Sequence, residues 1–107
     1  MTYDKELFIA FAYKIDGGIA LRNVTAAMLT IDGYEDFNFF IYEYSPNTTG
    51  GKTEYVISEL STGFRISSNI SFDIALMEAK ERLKGLGSEK FAELIAEKIR
   101  LYGCANK

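Results

Sequence analysis

Apolar and polar positions alternate over residues 7–15 (LFIAFAYKI), with Leu7, Ile9, Phe11, Tyr13 and Ile15 on one face. Phe8, Ala10, Ala12 and Lys14 take the other face. A period of two among aromatic and β-branched residues predicts a strand, and the alanines would let another element approach closely. Asp16-Gly17-Gly18 supplies the positive φ of a turn, and a second strand from Ile19 completes a hairpin. Residues 23–31 (NVTAAMLTI) fit a strand or a short helix almost equally, and Asp32-Gly33 breaks the pattern.

Residues 37–44 (FNFFIYEY) hold five rings in eight positions. Their composition favours a strand. Phe37, Phe40, Ile41 and Tyr44 also recur at helical spacing, with Glu35 and Asp36 placed for a helix N-terminus. A helix here would make the topology ββαββαα. Residues 45–53 (SPNTTGGKT) hold the one proline and a Gly pair, and predict a surface loop. Lys52-Thr53 lacks the first glycine of a phosphate loop, five residues before Gly51.

YVISEL (55–60), the turn Ser61-Thr62-Gly63 and FRIS (64–67) read as a second hairpin. Ser71 is a good N-cap for a helix with Asp73 in its first turn, a buried stripe of Ile74, Ala75, Met77, Ala79 and Leu83, and an end at Gly85 and Gly87. Ser88 is placed to cap a last helix whose Phe91, Ile95, Ile99 and Tyr102 share a face, with Gly103 closing it. The pattern predicts a single α+β domain over 1–107. Its antiparallel sheet is built from two hairpins and followed by a C-terminal antiparallel pair of amphipathic helices.

Composition narrows the chemistry. The 107 residues include eight Phe, seven Tyr, no Trp and no His. Without histidine, Ser-His and Cys-His nucleophiles and the commonest metal ligand are missing. The single cysteine, Cys104, can form neither an internal disulfide nor a zinc site. It follows a helix C-terminus, where the dipole disfavours a thiolate. Asp32, Glu35 and Asp36 are the one close carboxylate group, without the spacing of a calcium loop. The expectation is a protein without catalytic residues, metal or cofactor.

The net charge of −3 argues against sequence-independent nucleic-acid binding. Residues 1–60 sum to −5 and residues 61–107 to +2, so an anion would find its charge in the C-terminal half. The start MTYDKELFIAF lacks a signal-peptide pattern, and no apolar run reaches 18 residues, so the chain is expected in the cytoplasm, away from membranes. The sequons at Asn23, Asn47 and Asn69 then carry no glycosylation meaning.

Binding remains. An arginine fork beside exposed rings suits a ligand that joins a phosphate to a base. Arg22, Arg65 and Arg100 with Phe64, Tyr42 and Tyr44 are the candidates for such an anionic-ligand pocket. The alternative is that each arginine lies over the protein surface. The ring-rich 37–44 stretch and the Ala10/Ala12 face are more apolar surface than one helix pair can cover, which predicts a homo-oligomer.

The β-rich first half, the strand carrying Gly63-Phe64-Arg65-Ile66 after its turn, and the two closing amphipathic helices have the look of small phage-encoded proteins. Among these the chain resembles the Thoeris anti-defence sponge proteins in its layout. That family oligomerises and sequesters cyclic-nucleotide immune signals without cleaving them. The resemblance implies immune evasion by binding a cyclic-nucleotide-type small molecule in a host cytoplasm, and no site residue follows from it. Anti-CRISPR proteins, another small, acidic and enzymatically silent class, imply the alternative. In that reading the chain is a protein-binding inhibitor, or an oligomeric assembly module acting through its aromatic surface.

Overall fold

The computed structural model describes residues 3–13, 21–45 and 53–106, without the side chains of residues 3–6, 13 and 22. The strands are β1 (Tyr3–Tyr13), β2 (Leu21–Leu29), β3 (Phe39–Tyr44), β4 (Glu54–Glu59) and β5 (Arg65–Asn69). Helices α1 (Phe72–Leu86) and α2 (Ser88–Tyr102) follow. The strands form one antiparallel sheet in chain order, β1-β2-β3-β4-β5. This is the α+β arrangement expected. The Asp16–Gly18 turn and most of the 45–53 loop lie outside the described residues.

Register explains why rings crowd consecutive positions in FNFFIYEY. Phe39 and Ile41 face α1 and α2, in a core with Ala27, Leu29, Ile57, Ala75, Ala79, Leu83 and Phe91. Phe40 and Tyr42 face the opposite side, with Ala10, Ala12, Ala26 and Val56. A strand buried on both faces reads as a continuous apolar run rather than an alternating one. The segment before it, Asp32–Phe37, is a set of turns and not a helix. Tyr34 Oη donates to Leu83 O at 2.7 Å, and the Phe37 ring lies 4.8 Å from the Phe91 ring.

The second core has no helix over it. The sheet covers it by curling, so that β1 comes round to the β4–β5 turn. A Cβ on Gly63 would lie 2.9 Å from Phe11 O and 3.5 Å from Ala12 Cα. Ala10 and Ala12 are fully buried because the walls of the curl meet there with no room for larger side chains. The expectation that this face needs a second subunit is therefore corrected: Phe40 and Tyr42 are enclosed within one chain.

Ser71 Oγ accepts from Ile74 N and caps α1 as expected. Within the helix Ala75, Ala79 and Leu83 are buried, whereas Ile74 and Met77 of the expected stripe are exposed. Their exposed positions leave the buried stripe with small residues at two of three places, and α1 sits close to β5, with Ser67 Oγ donating to Ala75 O at 2.7 Å. Ser88 is not a cap. Gly87, at φ 82°, holds that position, and Ser88 is the first residue of α2.

Candidate functional site

The six sequence-predicted ligand residues fall into separate places. Tyr42 is enclosed among the residues of the concave core, and Tyr44 packs half-buried at its end. Phe64 lies on the other side of the sheet, against α2, with its ring 5.8 Å from Tyr102 and Lys98 Nζ 3.8 Å from its centroid. Arg65 is exposed, and its guanidinium donates to Ser68 Oγ. Arg100 is exposed on α2 and pairs with Glu97 one turn earlier. Arg22 lies on β2 with its side chain outside the described residues.

Three cavities bear on ligand binding. The one that joins Phe64 and Arg65 with Lys98 and Thr62 measures about 170 Å³. Glu59 also borders it, yet this buried carboxylate is engaged by its own turn. Ser61 and Thr62 each donate both a backbone N–H and a hydroxyl to it, at 2.7–2.9 Å. It builds the turn that carries Gly63. A cavity of about 470 Å³ meets Leu7, Thr25, Glu43 and Tyr44, and one of about 570 Å³ meets Phe8, Met28, Leu60 and Cys104. Neither gathers a lysine or arginine among its described lining residues. No group of three or more Cys, Asp or Glu side chains among the described residues could hold a metal ion. None of the described helices is long and apolar enough to cross a membrane.

The most exposed apolar surface of the sheet is on β1. Leu7 is 67% exposed, Ile9 65% and Phe11 44%, and Leu21 on β2 is 40% exposed. These residues lie on the convex side, beyond the reach of the helices, which cover β4 and β5. β1 is also an edge strand. Asn106 binds that edge at one residue: Phe11 N donates to its Oδ1 at 2.8 Å, and its Nδ2 donates to Phe11 O at 2.9 Å. The same Nδ2 reaches Leu60 O at 2.7 Å, and Ala105 N donates to Ser61 O. The amide thus does for Phe11 what a neighbouring strand would do.

Phe11 turns its backbone groups away from β2, so alternation along an antiparallel ladder turns those of Ile9 and Leu7 the same way. These outward groups have no partner among the described residues. The sequence signal for this surface was β1 itself. It is apolar on both faces, and as an edge strand beyond the helices it buries only the face turned into the curl. Asn106 carried no such signal, because its partners are 95 and 46 residues away.

Comparison with protein-family models, curated proteins and solved structures finds no match to this chain.

Proposed function

We propose that this chain is a non-catalytic binding domain whose working surface is β1, and that it acts as a protein-binding or assembly module. The observation that carries this reading is the coincidence of exposed Leu7, Ile9 and Phe11 with an open strand edge. Native sheets ordinarily blunt such edges. β5, at the other edge, shows how: it is five residues long, bulged at Ile66, and the Ile66 carbonyl is taken by the Arg82 guanidinium. Among the described residues, nothing protects β1 in this way at Leu7 and Ile9. An apolar strip beside an open edge is what strand addition uses.

Sequestration of a cyclic nucleotide by a single chain finds less support. The cavity shared by Phe64 and Arg65 falls below the roughly 300–1,000 Å³ of ordinary ligand sites. A thermal-shift panel of cyclic dinucleotides, cyclic trinucleotides and cyclic ADP-ribose isomers decides between the two. The expected result is no shift beyond the scatter of ligand-free controls. A rise of several degrees with any one of them, with the ligand recovered intact after heating, would overturn the protein-binding reading and favour the sponge.

A further inference from the structure

We infer that the partner of β1 is a second copy of this chain, joined edge to edge and antiparallel with Leu7 of each copy opposite Ile9 of the other. This rests on the reading of β1 as the working surface.

The open part of the edge is short. Towards the C-terminal end of β1, Asn106 closes it at Phe11. Towards the N-terminus the register shifts between Tyr3 and Leu7. Between those limits only Leu7 and Ile9 present outward backbone groups in regular register. A long foreign strand finds little to pair with there. A two-fold pair needs nothing more, since two residues two apart on identical strands satisfy each other. Leu7 N–H meets Ile9 O of the second copy and Ile9 N–H meets its Leu7 O, and the symmetric pair repeats both bonds. The side chains then follow. Leu7 and Ile9 share the convex face, so four apolar side chains come into contact in one cluster, with Phe11 at each end.

Size sets the strength. Four large apolar side chains exposed between 40% and 67% make a patch of the few-hundred-Å² scale that marks a contact surface. That is less than the roughly 800 Å² per partner of a standard stable interface. The dimer is therefore one that dissociates on dilution. Asn106 marks the other limit by holding Phe11, since residue 5 of the second copy, which would face it, lies beyond the register shift.

Sedimentation of the whole chain over a concentration series tests this. The mass should rise from one chain to two, and Ile9→Lys should keep the single-chain mass throughout with an unchanged circular dichroism spectrum. Hydrogen exchange at the Leu7 amide should be slow in the concentrated wild type and fast in Ile9→Lys. A wild type that stays a single chain at millimolar concentration overturns the proposal, and so does a dimer that survives Ile9→Lys. A single-chain mass with no nucleotide shift leaves β1 with a different protein partner. A nucleotide shift removes the protein-binding reading itself.

Discussion

Gly63 holds the two sides of the curled sheet at contact distance, and any side chain there would both strain the backbone and collide with β1. Its φ is 73°, and a Cβ would meet Phe11 O at 2.9 Å and the Ala105 side chain at 3.2 Å. Gly33 provides the control, because its φ of 87° is as demanding while nothing lies within 4 Å of its missing Cβ. Gly33→Ala carries only the left-handed backbone penalty, about 1 kcal/mol. Gly63→Ala adds a collision with backbone that cannot swing aside, and the sum should reach about 3 kcal/mol. Urea unfolding of the two variants reads the difference. Equal losses would mean that β1 does not sit against the turn. Nothing in the sequence separates these two glycines, since each ends a short polar stretch and only the folded chain shows what faces it.

Elements differ in how firmly they are held. α1 is anchored through three buried residues, and its neighbours add Ser67 Oγ to Ala75 O and Asn69 Nδ2 to Glu78 Oε1. α2 buries one residue, Phe91, whose ring stands 4.8 Å from Phe37, 5.9 Å from Phe39 and 6.4 Å from Tyr34. Phe91→Ala should therefore cost about 4 kcal/mol, the usual loss for a buried aromatic. It should also release α2 locally, with amide exchange across Phe91–Tyr102 accelerating well before that of β3 and β4. Uniform acceleration across all elements would show instead that α2 folds only with the sheet. Most elements were legible because their signals are local: period two for β1, a Ser cap and an acidic first turn for α1. The 32–37 turns were not, since Tyr34 and Phe37 serve as lids on Phe91, and a lid has no periodicity of its own.

At the scale of the molecule, one feature governs both what is buried and which surface stays open, and it was the least legible. A sheet of two hairpins with one helix pair was expected to leave its other face for a partner. Here the sheet curls and keeps that face for itself, so the open surface moves to the convex side of β1. The closure depends on contacts far apart in sequence, Gly63 with Ala12 and Asn106 with Phe11, which leave no local pattern. The candidate ligand residues scattered for the same reason: Tyr42 went to the inside of the curl and Phe64 to the helix side. Ala12 is the sharpest probe of this arrangement, being fully buried at the seam. Ala12→Leu cannot place its added carbons without lifting β1 from the turn, and overpacking of this kind costs about 1–3 kcal/mol. Lifting β1 uncovers Phe40, Val56 and their neighbours, so the variant should bind a hydrophobic dye that the wild type excludes, and its radius of gyration should exceed the 13.2 Å of the closed chain. The comparison belongs in the Ile9→Lys background, where association cannot enlarge the particle. An Ala12→Leu chain with unchanged stability and size would mean that the concave core is open, and that its rings are available to a ligand after all.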